Sequence, residues 1–286
     1  MTVSKAVIPC GGFGTRFLPA TKVLPKELLP IVDKPTLWYV VEEAAKAGIT
    51  DVLIIIAEGK EAVQRFFEPN DKLNARLHDR GADELYSLAN HDFGVNVTFK
   101  VQMSQKGSGD AVYLAKDFAG GEPIAVLFGD DIVYTGAGEC ATKQLINAFS
   151  STGKTVVGVQ RTSEEVARRC GVMMTKGEVG RVTEITGIVE KPTGDLPSEL
   201  VSLGRFILTP DVFDALENTA LSKDGEIYLT DAISAVAKDG GAVACLFDGR
   251  RYDVGNKQGY LEAVVEFALR DEKLGKTFAD YLKTKR

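Results

Sequence analysis

The chain has 286 residues, 44% of them hydrophobic and 26% charged, and it can bury a full core as one large domain or two intimate ones. Its 34 Lys and Arg against 40 Asp and Glu leave a net charge of −6 with no basic stripe, so nothing suggests a nucleic-acid partner. Scattered cysteines at 10, 140, 170 and 245, and His78 and His91 as the only histidines, argue against a zinc site at usual spacing. No apolar leader or run of about 18 apolar residues occurs, so the expectation is a cytoplasmic protein with reduced cysteines and no membrane partner.

In chain order, Lys5 to Pro9 reads as a buried strand. Thr36 to Ala47 carries apolar residues at helical spacing and stops at Gly48, a C-cap. Asp51 to Ala57 is unbroken and apolar, as expected of a parallel strand covered on both faces. A short helix at Lys60 to Phe67 follows, then a polar segment from Pro69 to Asp92 that reads as an irregular insertion. Val95 to Gln102 alternates as a strand, Asp110 to Ala115 starts a helix, and Pro123 to Phe128 is another buried strand ending on Gly129-Asp130-Asp131. A helix over 139–149 and a strand at Thr155 to Val159 complete a strand–helix alternation that predicts a doubly wound, Rossmann-like α/β fold. Beyond it, Val172 to Met174, Arg181 to Val189 and Leu203 to Leu208 read as strands of a small antiparallel extension. Lys257 to Lys283 reads as a closing helical segment with an apolar face of Leu261, Val264, Val265, Phe267 and Ala268.

The first strand runs into Gly11-Gly12-Phe13-Gly14-Thr15-Arg16. Glycines there let backbone N–H groups approach a phosphate closely. The spacing is not G-x-G-x-x-G and the G-K-[ST] ending is missing, which argues against a dinucleotide site and a Walker loop. Pro19, Pro25, Pro30 and Pro35 forbid a regular helix across the segment. What remains is a long loop carrying Arg16, Lys22 and Lys26 beside a glycine cradle, a set of cations suited to a triphosphate whose pyrophosphate must leave.

The text GGFGTRFLPATKVLPKELLPIVDKP resembles the opening signature of bacterial UTP–glucose-1-phosphate uridylyltransferases, within the sugar nucleotidyltransferases. KGSGDAV, the Gly-Asp-Asp turn, VEKP, GRFILTPDVF, GEIYLTDAI and YDVGNKQGYLEAVVEFALR follow in that family's order and cover nearly the whole chain. The resemblance implies a single nucleotidyltransferase domain over 1–286. Its nucleotide-binding half would end near residue 160, its sugar-phosphate-binding half would span 161–256, and a C-terminal helical segment would follow. It implies magnesium, UTP and glucose 1-phosphate as substrates, UDP-glucose and pyrophosphate as products, and a dimer or tetramer. By position, Gly11, Gly12, Gly14, Thr15 and Arg16 would hold the nucleotide and its phosphates, with Lys26 the catalytic cation. Glu27, Gln102 and Gly107 match positions near uracil and ribose, and Gln102 offers the donor and acceptor that a uracil edge requires. Asp130 and Asp253 match the metal ligands, as two carboxylates on one hard cation should. Glu190 would accept from sugar hydroxyls and Lys191 would contact the sugar phosphate, with Gly171 and Gly204 lining the sugar pocket.

Four positions depart from the pattern. Asp110 stands where histidine is usual, Cys170 where tyrosine is common and Tyr228 where glutamine is frequent, while Asp131 is an additional acid. Asp110 and Cys170 bear on substrate detail and leave the phosphate and metal residues untouched. The competing readings are another UDP- or dTDP-sugar pyrophosphorylase, a silent paralogue that binds nucleotide sugar, and a nicotinamide oxidoreductase.

Overall fold

Strand β1 (Lys5–Cys10) turns Val7 into one hydrophobic core and Ala6, Ile8 and Cys10 into another. Side chains alternate along a strand, so an unbroken apolar run marks a sheet covered on both faces. The computed structural model describes residues 2–285, and the same two-sided burial recurs along its central strands. The other strands, in chain order, are β2 (Pro30–Ile31), β3 (Lys34–Pro35), β4 (Asp51–Ala57), β5 (Asn96–Gln102), β6 (Ile124–Leu127) and β7 (Asp131–Tyr134). Then come β8 (Thr155–Arg161), β9 (Gly171–Thr175), β10 (Val182–Glu190), β11 (Leu200–Leu208), β12 (Ala242–Leu246) and β13 (Arg250–Asp253).

One nine-stranded mixed sheet has the order β5-β4-β1-β6-β11-β8-β12-β10-β9. β5, β4, β1 and β6 are mutually parallel, as the strand–helix alternation predicts. β10 and β9 form an antiparallel edge, which is the expected extension. β11 differs from expectation, because it runs antiparallel between β6 and β8 at the centre, with every residue buried. Strands from both halves of the chain therefore share one sheet. The helices Thr36–Ala47 and Ala141–Thr152 cover one face, and Ser108–Tyr113, Asp211–Glu217 and Leu229–Lys238 cover the other.

Some segments depart from the sequence reading. The polar stretch after Pro69 is a pair of helices, Asp71–Asp79 and Asp83–Ala89, not an irregular insertion. The Asn70 side chain caps the first of them by accepting from the Leu73 N–H at 3.1 Å. The closing segment is two helices, Lys257–Arg270 and Gly275–Lys283, interrupted at 271–274. The first packs Ala263, Val264 and Phe267 on Ile31, Ile132, Tyr252 and Val254, while Leu261 is exposed. The proline-punctuated loop contains three short 3-10 turns at Thr15–Phe17, Ala20–Lys22 and Lys26–Leu28, and no regular helix.

A buried ion pair fixes β11 to both helices of one face. Arg205 Nη2 lies 2.7 Å from Glu43 Oε2, and the Thr142 N–H and hydroxyl donate to Glu43 Oε1 at 3.0 and 2.6 Å. Glu43 sits on Thr36–Ala47 and Thr142 in the first turn of Ala141–Thr152, where a carboxylate is favoured by the helix dipole.

Candidate active site

The parallel strands deliver their C-terminal ends to one edge, the place where open α/β sheets bind ligands. From β1 the chain enters Gly11-Gly12. A side chain on Gly12 would come within 3.4 Å of the Lys26 ammonium, and Gly14, at φ +66°, is packed on Lys26 Cβ at 3.1 Å from such an added carbon. The cradle is thus folded directly over Lys26. The Lys26 Nζ lies 2.5 Å from Asp130 Oδ2, just beyond β6. Burial works against the Lys26 charge, yet Asp130 and Glu27 more than offset it and its pKa is raised. Burial likewise opposes the Asp130 charge, but Lys26 and Arg251 hold its pKa below the ordinary value.

Asp253 reaches this point through the antiparallel ribbon of β7 and β13, which sets Asp253 opposite Asp131. Gly255 is wedged beside both carboxylates: an added Cβ would lie 2.6 Å from Asp130 Oδ2 and 3.1 Å from Asp253 Oδ1. The Gly255 N–H donates to Asp253 Oδ1 at 3.0 Å, and the Arg16 guanidinium donates to the Gly255 carbonyl at 3.3 Å. Asp131, the additional acid, is buried and pairs with Arg251 at 2.5 Å. Burial raises its pKa to about 7; Arg251 opposes that rise, and the Asp130 and Asp253 charges add to it.

Two clefts flank this centre. The first, of about 410 Å³, is lined by Gly11, Gly12, Thr15, Gln102 and Gly107 of the expected nucleotide-binding set, together with Asp130, Gln105 and Glu226. The second, of about 170 Å³, is lined by Gly171, Glu190 and Gly204 as expected, and by Cys170, Tyr228, Thr230 and Arg251. Ser108 and Phe128 line both, so the clefts adjoin. Gly171 stands opposite Glu190 in the β9–β10 register, and an added Cβ would lie 3.1 Å from Glu190 Oε2. Gly204, at φ +69°, abuts the Asp131 carboxylate. The Thr230 hydroxyl donates to Glu190 Oε2 at 3.0 Å, and burial raises the Glu190 pKa despite that bond and the nearby Lys191.

Lys191 holds φ +44°, a conformation that costs a side-chain-bearing residue of order 1 kcal/mol or more and that clusters at functional sites. Its ammonium donates to the Tyr228 hydroxyl at 2.9 Å and lies 3.9 Å from Asp224. Tyr228, a departure from the family pattern, is therefore a direct partner of the expected phosphate ligand.

Glu27 is placed differently from expectation. It is 0% exposed and is not among the residues lining either cleft. Both its carboxylate oxygens accept from the Lys60 ammonium, at 3.0 and 2.9 Å, so its acceptor atoms are engaged within the fold. Lys60 is 8% exposed and also donates to the Cys10 carbonyl at 2.8 Å. It thereby ties the end of β1 to the turn at Lys26–Leu28. Lys60, Arg251 and Thr230 were not legible as site residues. A lysine heading a helix, an arginine in a strand and a threonine in a motif carry no local sign of their distant partners.

Across residues 5–269 the chain matches the family model described as nucleotidyl transferase. It is 44% identical over 283 residues to UTP–glucose-1-phosphate uridylyltransferase 2 of Staphylococcus saprophyticus, covering 98% of this chain and 97% of that one. The UTP–glucose-1-phosphate uridylyltransferase of Staphylococcus haemolyticus is likewise 44% identical over 283 residues, 98% of each chain. Among solved structures, the UTP-bound UGPase from Acinetobacter baumannii superposes with a TM-score of 0.91 at 32% identity, covering 98% of this chain and 99% of that one. A UDP-glucose pyrophosphorylase complexed with UDP-glucose superposes with a TM-score of 0.85 at 33% identity, covering 94% and 100%. The chain belongs to the nucleotidyl transferase family, and within it to the UTP–glucose-1-phosphate uridylyltransferases.

Proposed function

We propose that this chain transfers the uridylyl group of UTP to glucose 1-phosphate, giving UDP-glucose and pyrophosphate. The observation that carries the reading is the pair of adjoining clefts that share Ser108 and Phe128, with the Lys26–Asp130 pair bordering the first. The first cleft suits a nucleoside triphosphate, with its base against Gln102 and Gly107 and its phosphates against Gly11, Gly12, Gly14, Thr15 and Arg16. The second suits the sugar phosphate, with Glu190 accepting from hydroxyls and Lys191 on the phosphate. Gly171 and Gly204 keep the backbone close to the sugar.

The attacking sugar-phosphate oxygen is already anionic near neutral pH, so the reaction asks for no general base. His91 is stacked on Trp38 in a separate cavity, away from both clefts. Catalysis then comes from holding the two substrates in line and offsetting their mutual repulsion. Arg16, Lys26 and Lys191 supply fixed positive charge for that purpose. Asp130 and Asp253 converge beside Gly255 and offer a hard cation two carboxylates, and the described residues contain no cluster of three or more acidic, cysteine or histidine ligands. That donor set fits a divalent ion, which we take to be magnesium, completed by phosphate oxygens and water. When bound, such an ion neutralises phosphate charge.

No helix among the described residues is long and apolar enough to cross a membrane. A cytoplasmic location and a dimeric or tetrameric state remain proposals from the family resemblance, and light scattering reads the second directly. The central test is pyrophosphate release from purified protein with UTP and glucose 1-phosphate, with galactose 1-phosphate, N-acetylglucosamine 1-phosphate and dTTP substituted in parallel. Release should require UTP and glucose 1-phosphate together and stop with a chelator. No release from any pair, with UDP-glucose still bound, would sink the enzymatic reading.

A further inference from the structure

Gln102 ends β5 and is only 3% exposed, yet its amide borders the first cleft. Its Nε2 lies 2.6 Å from Asp110 Oδ2 and 3.4 Å from the Gly107 carbonyl oxygen. A carboxylate and a carbonyl can only accept, so the amide end facing them must be the NH2 group. The other end, Oε1, is thereby turned to the Gly11 side, where an added Cβ would collide with it. Asp110 itself is rigidly mounted in the first turn of Ser108–Tyr113. The Gly109 N–H donates to the Ile227 carbonyl at 2.8 Å, and the Ile227 N–H donates to the Lys106 carbonyl at 2.7 Å, which ties the turn to its neighbour.

We infer that Asp110 is a specificity-determining residue: by engaging the Gln102 NH2 group, it leaves Gln102 as an acceptor only toward the base in the first cleft. The inference rests on the nucleotide reading of that cleft given above. Uracil has one donor on its pairing edge, N3–H, and Oε1 is set to accept it. Cytosine in the same pose presents a lone pair at N3, acceptor against acceptor. A buried site built to accept a proton rejects the analogue that lacks it strongly, because its own polar group is left unpaired. Free of Asp110, an amide can turn over and present NH2 instead.

The test compares UTP with CTP in wild type and in Asp110→Asn, by kcat/KM with glucose 1-phosphate and by calorimetric affinity. Asparagine keeps the shape but can donate as well as accept, so both amide orientations become possible. Wild type should prefer UTP strongly, and the variant should narrow the UTP-to-CTP ratio by about tenfold or more through improved CTP binding. A purely structural role would lower both nucleotides together and leave the ratio unmoved. A ratio within about threefold of wild type, in a variant that melts normally and turns over UTP, overturns the inference. So does a wild type that uses UTP and CTP alike. A second measurement needs no variant: N3-methyl-UTP, which lacks the proton, should bind wild type at least about tenfold more weakly than UTP. Equal binding overturns the inference. Failure of wild type to bind UTP at all would instead sink the nucleotide reading beneath it.

Discussion

Lys26 is the residue at which the site's charges meet. Its ammonium touches Asp130 and lies beneath the glycine cradle, so removing it takes away a fixed charge without emptying the hydrophobic core. Lys26→Ala should lower turnover by on the order of a hundredfold, the usual cost of one such contact, while the chain still folds with a lowered melting temperature, because Asp130 loses its ion-pair partner. A variant keeping more than about a third of wild-type turnover would take Lys26 out of the mechanism. Glu27, its neighbour, teaches a different lesson. An acidic residue in a nucleotide motif reads as a ligand, but its partner Lys60 is distant in sequence and turns it inward. Lys60→Met should strand the Glu27 carboxylate in a buried site, destabilising the fold by roughly 3–5 kcal/mol and opening the loop to proteolysis. Adding Glu27→Gln to that variant should recover a substantial part of the loss. If urea denaturation shows the two changes simply adding, the pair is not a clamp.

At the scale of elements, the β7–β13 ribbon decides where the second candidate metal ligand stands. It carries Asp253 to Asp130, and Gly255 leaves space for both carboxylates. Gly255→Ala would push a methyl group between them. Turnover should drop by on the order of a hundredfold, as expected when reacting groups shift by about 1 Å, with little change in secondary structure by circular dichroism. The Arg205–Glu43 pair does comparable work for β11, holding it against two helices. Glu43→Gln would leave Arg205 uncompensated and cost about 3–5 kcal/mol. Burial opposes the Glu43 charge, but Arg205 and Thr142 outweigh it and hold its pKa below the ordinary 4.5. A lowered folded-state pKa means stabilisation that is complete above the unfolded value and lost as pH falls through the folded one. The stability gap between wild type and Glu43→Gln should therefore be widest near neutral pH and close progressively below about 4.5. A gap that stayed constant into acid would show that the ion pair is not its source.

For the whole molecule, one sheet spans both halves of the chain, and the two clefts meet across it at Ser108 and Phe128. Ligand in either cleft should therefore stabilise the protein against global unfolding. UTP at a hundred times its dissociation constant should add about 2.7 kcal/mol, seen as a melting shift of several degrees. A saturating concentration that leaves the melt unmoved would mean that UTP does not bind the folded chain.

Much of this protein is local in origin and so legible from its residues in order. The apolar run 51–57 reads as a strand covered on both sides, Gly48 as the end of the helix before it, and four prolines keep the loop from 18 to 35 out of regular helix. The glycine cradle, the Gly-Asp-Asp turn and the Glu-Lys-Pro strand end were likewise readable, because each rests on backbone freedom or on charges adjacent in sequence. What the order of residues left open was long-range pairing. That β11 enters the sheet centre depends on cross-strand hydrogen bonds to β6 and β8, and on a buried arginine whose partner is Glu43. That Glu27 supports the loop, that Asp110 orients Gln102 and that Tyr228 holds Lys191 depend on which side chains meet in space. Propensity and pattern act over a few residues, whereas hydrogen bonds and ion pairs act over a few ångströms, and only the folded chain brings these residues within that reach.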